Sequence, residues 1–174
     1  RSILAQEGVD LIEERGPSCL LDDLVLVTGQ IHRTTDFEKG FPIHYAEVNG
    51  EWQLDPFVHD DQALVVHVRD KGLVVMTGCG HAGAINSIYF ARQLTGVERI
   101  HSLLGGLHLT GPIFEPIITP TIQALKEINP QVVMTGHCTG WKANHLMASE
   151  LPEAYVPSSV GTRLVVESGA PLEN

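Results

Sequence analysis

Three histidines each follow an apolar, strand-like run and lie in a turn that contains glycine. They are His81 in LVVMTGCGHAG (73–83), His108 in IHSLLGGLHL (100–109) and His137 in VVMTGHCTG (132–140). In layered α/β folds the turns after the strands meet at one edge of the sheet, where ligands bind. Because imidazole is the commonest metal ligand, three histidines at separate strand ends favour a shared metal site.

Each histidine also has a structural interpretation, as a helix-capping or core residue. The same arrangement of strand, glycine, histidine and helix occurs at both His81 and His137, and packing alone does not explain that repetition. His108 is flanked by Leu107 and Leu109, as core histidines often are, but its turn is the third of the set, so we predict a ligand there too. The other six histidines lack this context, and we interpret them as structural or surface residues: His32, His44, His59, His67, His101 and His145.

Polar and sulfur-containing residues near these turns are candidates for a supporting role. Asp60 and Asp61 precede a valine-rich run, where carboxylates can orient the ring N–H groups of metal-binding histidines or cap turns. Cys79 and Cys138 lie within two residues of predicted ligands. The two cysteines could be metal-bound thiolates or small buried side chains, and we favour the second interpretation. We predict that Cys138 supports the metal ligands without binding the metal itself.

Two further residues are candidates for contact with a substrate. Thr139 directly precedes a predicted helix, where its hydroxyl would cap the helix and the free amides would bind an anion. Arg33 belongs to the one modest basic cluster, with His32 and Lys39. These residues predict a small anionic or phosphorylated substrate, although a solvated loop also explains the basic cluster.

Hydrophobic patterning predicts the elements that position these turns. The valine-rich runs 64–69 and 72–77 flank Asp70-Lys71-Gly72, a hairpin signal. Helical spacing of apolar residues follows the His81 turn and ends near Gly96. We predict further strands at 24–28, 43–48, 51–54, 99–104, 131–135 and 162–166, and further helices at 116–128 and 140–150. From residue 64 the order is β-β-α-β-α-β-α-β, which predicts an α/β layered domain.

Length and composition exclude some classes of partner and fold. The 174 residues suit one domain, 1–174, and the net charge of −10 argues against nucleic acid or an anionic membrane as partner. No apolar run approaches the roughly 20 residues needed to span a bilayer. Three widely spaced cysteines do not form a disulfide framework and favour the cytoplasm. Since the chain begins at Arg1 rather than at Met, we expect it to be part of a longer protein.

At these motifs the sequence resembles the metallo-β-lactamase fold superfamily. It is most similar to a branch of metal-dependent hydrolases related to a dihydropterin ribofuranosyl-aminobenzene-phosphate synthase of methanogens. The resemblance extends over most of residues 25–166, and the GCGHAG and GHCTG segments are fairly specific. The similar segments are TGQIHRTTDFEKG (28–40), DPFVHDDQALVV (55–66), LVVMTGCGHAGAINSI (73–88), LLGGLHL (103–109) and VVMTGHCTGWKA (132–143).

The resemblance implies roles for the three histidines. His81 matches the histidine that completes the first metal site, and His137 matches the last histidine of the second. His108 occupies the turn where most relatives place a bridging aspartate, so we expect it to act as a metal ligand or as a catalytic proton donor. The implied metal is zinc, with manganese or iron as alternatives.

One family motif is absent from the chain. The H-x-H-x-D-H motif supplies ligands in the first half of the αββα sandwich, and no H-x-H occurs here. We therefore expect the C-terminal half of a metallo-β-lactamase-type sandwich. The first half is either truncated, on another chain, or truly lacking, and the abrupt start favours truncation.

The resemblance leaves three functions open. A zinc-dependent hydrolase of a small anionic substrate is preferred, and we expect the isolated half to be inactive. Transfer of a pterin methylene group, as in the synthase, is an alternative within enzymes. A non-catalytic binding module is the third, and because half a sandwich exposes one sheet face, we also expect a homodimer or pairing with a separate first half.

Overall fold

Valine-rich strands form the centre of a seven-stranded mixed sheet. The computed structural model describes residues 6–169. Its strands are β1 (Ser18–Leu20), β2 (Val25–Val27), β5 (Ala63–Val68), β6 (Gly72–Thr77), β7 (Ile100–Gly105), β8 (Val132–Thr135) and β9 (Tyr155–Pro157). Their order across the sheet is β1-β2-β5-β6-β7-β8-β9; the pairs from β1 to β6 are antiparallel, and the pairs from β6 to β9 are parallel. A separate hairpin contains β3 (Tyr45–Val48) and β4 (Glu51–Leu54).

Three helices connect the parallel strands. They are α1 (Ala84–Thr95), α2 (Ile118–Ile128), which a short 3-10 turn precedes, and α3 (Trp141–Glu150). Helix α1 packs against β6 and α2, and α2 packs against α3. Helix α1 ends at Gly96, whose φ of 68° is left-handed, a conformation that glycine adopts without steric cost.

The hydrophobic core lies between these helices and one face of the sheet. Alternate side chains of β6 and β7 and one side of α1 are fully removed from solvent, among them Leu73, Val75, Ile85, Ile88 and Leu103. Burying a side chain of this size stabilises the fold by about 1.5–3 kcal/mol. The core therefore fixes the strand ends from which the histidine turns leave.

The opposite face of the sheet is apolar but only partly covered. Residues paired across neighbouring strands point to the same face. One such row crosses five strands and consists of Leu64, Met76, Leu104, Met134 and Val156. Leu64 is 40% exposed, and the other four are half-buried.

The α/β class and the order of elements after residue 64 are confirmed, with one strand misplaced. The run at 162–166 forms no strand and is largely exposed. The last strand is instead Tyr155–Pro157, which leaves α3 through a short turn and pairs in parallel with β8. Its three residues are too few to show the alternation on which strand prediction depends. Within residues 6–169, no helix has the length and apolarity to cross a membrane.

Candidate metal centre

The three histidine turns meet at one edge of the sheet. His81, His108 and His137 follow β6, β7 and β8, which are neighbouring parallel strands. Backbone hydrogen bonds join the turns, from the Gly106 N–H to the Gly78 oxygen at 2.8 Å and from the Gly136 N–H to the Gly105 oxygen at 2.6 Å. The sheet topology therefore brings together segments that lie far apart in the sequence.

The imidazole rings of His81 and His108 are in edge-to-face contact. Their centroids are 4.4 Å apart, and the ring of Phe114 lies 4.4 Å from His108 on another side. His108 has a φ of 47°, a left-handed conformation that is uncommon outside glycine. Its Nδ1 is buried and has no hydrogen-bond partner among the described residues. A buried nitrogen without a partner is costly unless it meets a ligand.

The environment keeps His108 neutral. Burial lowers its pKa to about 4, and the charges of His81 and His137 act in the same direction. At neutral pH the ring therefore has a free lone pair, the form in which imidazole binds a metal.

His137 forms a compact group with two cysteines. Its Nε2 lies 2.9 Å from the sulfur of Cys79, and the Cys138 thiol donates to the carbonyl oxygen of Cys79 at 3.1 Å. The two sulfurs and a nitrogen of His137 all lie within 4.8 Å of one another. Cys79 and His137 are 58 residues apart, so the sequence alone did not show this contact.

A glycine provides the space that the Cys138 side chain occupies. A Cβ atom at Gly106 would lie 2.6 Å from the Cys138 sulfur and 2.7 Å from the carbonyl oxygen of Gly78. Any larger residue at position 106 would displace the thiol. Burial raises the pKa of the Cys138 thiol, so without a cation it remains protonated.

Of the two predicted supporting carboxylates, Asp61 lies beside His81, whereas Asp60 is exposed. Asp61 Oδ2 accepts a hydrogen bond from the Ala82 N–H at 2.7 Å, and its Oδ1 is 3.9 Å from His81 Nδ1. Burial raises the Asp61 pKa, and the Ala82 N–H and the His81 charge oppose that shift. Asp61 thus holds the backbone of the His81 turn rather than bonding to the ring directly.

Arg33 is also bound to the His81 turn. Its guanidinium donates to the His81 carbonyl oxygen at 3.1 Å and to the carbonyl oxygen of Phe57. The guanidinium carbon lies 5.5 Å from the centroid of the Phe57 ring. Half-buried in this way, Arg33 positions the loop, and contact with a substrate stays a prediction for it.

Thr139 does not cap α3 with its side chain, contrary to expectation. The N-cap of α3 is Gly140, which carries no side-chain cap. The Thr139 hydroxyl is buried and accepts a hydrogen bond from the Leu107 N–H at 3.2 Å. It therefore joins the His137 turn to the His108 turn, and its contact with a substrate stays a prediction.

Glu38 is a functional candidate that the sequence did not single out. Its carboxylate is buried and accepts hydrogen bonds from the first amides of α1, from Ile85 at 2.9 Å and Asn86 at 2.8 Å. Burial raises the Glu38 pKa to about 7, and these two amides oppose that shift. The available signal was its place in the segment TGQIHRTTDFEKG (28–40), but only the tertiary structure brings that loop onto the helix.

A cavity of about 190 Å³ opens beside the His81–His108 pair. Its wall is largely apolar and includes Glu38. A space of this size holds part of a small molecule next to the two imidazoles. The lining includes Phe37, Glu38, Lys39, Pro42, Leu107, Ile113, Phe114 and Ile117.

The fold identifies the class of protein to which this chain is similar: it has a metallo-β-lactamase-type fold. A solved metal-dependent hydrolase of the β-lactamase superfamily superposes with a TM-score of 0.76 and 27% sequence identity. The match covers 91% of this chain and 59% of that one. No family model matches the chain.

The particular relatives come from one methanogen. The 7,8-dihydropterin-6-methyl-4-(beta-D-ribofuranosyl)-aminobenzene-5'-phosphate synthase of Methanocaldococcus jannaschii is 35% identical over 121 residues, which are 69% of this chain and 40% of the synthase. An uncharacterized protein of the same organism is 27% identical over 141 residues, 81% of this chain and 49% of that protein. The chain therefore spans less than half the length of either relative.

The residues at the edge fit a divalent metal. The unpartnered Nδ1 of His108 and the nitrogen and sulfur atoms around His137 are donors that zinc accepts. The predicted ligands His81, His108 and His137 lie in adjoining turns, and their assignment as ligands stays a prediction.

Proposed function

We propose that this chain supplies part of the active site of a metal-dependent hydrolase that acts on a small anionic or phosphorylated substrate. The observation that carries the proposal is the meeting of three histidine turns at the carboxyl ends of parallel strands, with His81 and His108 in ring contact. Ligands bind at such edges in α/β proteins.

In this proposal the residues have separate roles. His81, His108 and His137 would contribute metal ligands, and a divalent ion bound there would supply the Lewis acidity that polarises the bond under attack. Asp61 and Arg33 both hold the peptide group between His81 and Ala82. With its pKa near 4, His108 is neutral at working pH and serves as a ligand more readily than as a proton donor.

A synthase reaction is the second candidate. It is favoured by the 35% identity to the dihydropterin-linked synthase, whose name describes group assembly rather than hydrolysis. The apolar wall of the cavity suits the uncharged part of such a substrate. The predicted metal ligands and the cavity suit either hydrolysis or the synthase reaction, so assays with substrates of both kinds are needed to distinguish the two.

A non-catalytic binding module is the third candidate function. The chain spans 40% of the synthase and 59% of the solved hydrolase, and it carries no H-x-H. Ligands supplied from outside this chain would then be needed to complete a catalytic centre.

Metal content and turnover together test the proposal. We expect stoichiometric zinc after reconstitution, with affinity weakened in His81→Ala and His108→Ala and most strongly in His137→Ala. His145→Ala, an exposed histidine on α3, is the matched control and should bind zinc as the unaltered chain does. Phosphoesters and pterin-linked substrates are then assayed with zinc present. A chain that binds no divalent metal contradicts the proposal.

A further inference from the structure

We propose that Cys79 and Cys138 are thiolate ligands that form, with His137, a three-ligand site for zinc or a similar thiophilic metal within this chain. This inference rests on the proposed metal-dependent function and specifies its ligands. It departs from the interpretation of the two cysteines as small packing residues, which their sequence positions favour.

The distances place both sulfurs at the site. Cys79 Sγ is 2.9 Å from His137 Nε2, and the sulfurs and the histidine nitrogen form a set within 4.8 Å. A zinc ion binds sulfur at about 2.3 Å and nitrogen at about 2.0 Å, so ligand atoms around one ion lie up to about 4 Å apart. Small side-chain rotations close the remaining gap.

The three ligands come from two rigid turns. Cys79 belongs to the turn between β6 and α1, whereas His137 and Cys138 belong to the turn between β8 and α3. The end of β7 and the turn after it lie between them, bonded to the first turn through Gly106 and to the second through Gly105. Both cysteines are free thiols and neither is fully exposed. The site is therefore held by the sheet rather than by a mobile loop.

The donor chemistry selects the metal. Two thiolates and one imidazole are soft ligands that suit zinc and not magnesium or calcium, which prefer oxygen. Each thiol releases its proton to solvent when the metal binds, with no change of oxidation state. Three protein ligands leave a fourth position open, which is typical of catalytic rather than structural zinc sites.

The site differs from the His81–His108 pair beside it. Those two rings contact each other, and neither belongs to a set of three potential ligands within 4.8 Å among the described residues. Metal bound through sulfur is therefore expected to remain, with lower affinity, when His81 is replaced.

Cobalt(II) substitution under reducing conditions tests the inference, because cobalt bound to thiolate shows a near-ultraviolet charge-transfer band that nitrogen and oxygen ligands do not give. We expect this band in the unaltered chain and in His81→Ala at saturating cobalt. Cys79→Ser and Cys138→Ser should each weaken it by about half and the double variant should lose it. Cys19→Ser is the matched control, since Cys19 is exposed on β1, and it should keep the full band.

Thiol protection supplies a second readout that needs no variant. The chain has three free cysteines. With zinc bound, a thiol reagent should modify Cys19 alone, whereas the metal-free chain should react at all three. Equal reaction in both states would overturn the inference.

The outcomes separate this inference from the proposed function. Cobalt binding without the sulfur band overturns the thiolate site and leaves a metal-dependent enzyme with other ligands. A sulfur band without turnover on any substrate supports the thiolate site and counts against catalysis by this chain. Absence of metal binding overturns both.

Discussion

Glu38 and Asn86 bind each other through both side chain and backbone. The Glu38 carboxylate accepts a hydrogen bond from the Asn86 N–H at 2.8 Å, and the Asn86 side-chain amide donates to the Glu38 carbonyl oxygen at 3.4 Å. Asn86 also donates to the Ala82 carbonyl oxygen and accepts from the amides of Thr34 and Thr35. This pair therefore fastens the loop before the β3–β4 hairpin to the turn that carries His81.

Replacing Asn86 by alanine should destabilise the protein strongly. Asn86 is fully buried, and its loss leaves two backbone amides and two carbonyl oxygens without a partner. Each buried group without a partner costs about 1–3 kcal/mol, so we expect the free energy of unfolding to fall by about 3 kcal/mol after local relaxation. Urea denaturation measures the change. Gln93→Ala, on the exposed side of α1, is the control and should change stability by less than about 0.5 kcal/mol.

Stability should fall as pH rises through the titration of Glu38. Burial raises its pKa to about 7, above the value of about 4.3 expected in an unfolded chain. The folded state therefore binds the proton more tightly, and the stabilisation is complete below about pH 4.3 and lost as the pH rises to about 7. Glu38→Gln is uncharged throughout and should lack this slope.

The free energy of unfolding of the unaltered chain and of Glu38→Gln, measured between about pH 5 and pH 8, tests this expectation. Glu127→Gln, at an exposed position of α2, is the control for replacing one carboxylate and should keep the slope of the unaltered chain. If Glu38→Gln and the unaltered chain have parallel pH profiles, Glu38 does not titrate in this range.

An added methyl group at Gly106 should weaken metal binding. The new Cβ would lie 2.6 Å from the Cys138 sulfur and 2.7 Å from the Gly78 carbonyl oxygen, so the thiol and the turn that carries Cys79 have to shift. We expect the zinc dissociation constant to rise about tenfold or more, equivalent to about 1.4 kcal/mol. Gly78→Ala is the matched control in the adjoining turn, because nothing lies within 4 Å of a Cβ there. Equal affinity in the two variants, measured by competition with a zinc chelator, would contradict this role for Cys138.

The sequence predicted the elements better than it predicted their contacts. Periodic apolar residues identify α1 and α2, and valine-rich runs identify β5 and β6, because burial of one face imposes these patterns. The three histidines were singled out because each follows a strand-like run within a few residues, and their role as ligands stays a prediction. The approach of Cys79 to His137 and of Glu38 to α1 depends on sheet order and loop path, which leave no local pattern. Thr139 is a further example. Its hydroxyl accepts a hydrogen bond from the Leu107 N–H of a neighbouring turn, and the local sequence does not predict that contact.

The partly covered sheet face should cause self-association. The row from Leu64 to Val156 crosses five strands and is apolar throughout, and monomeric proteins rarely leave such a continuous apolar surface open. We expect dimers of this chain to form through this face as concentration increases, as measured by sedimentation velocity. Leu64→Lys places a charge in the row at a residue that is 40% exposed, so it should shift the equilibrium to monomer without unfolding the sheet. Val160→Lys, at a fully exposed apolar residue outside the row, should leave dimerisation unchanged. A chain that stays monomeric at every concentration would show that this face does not drive association.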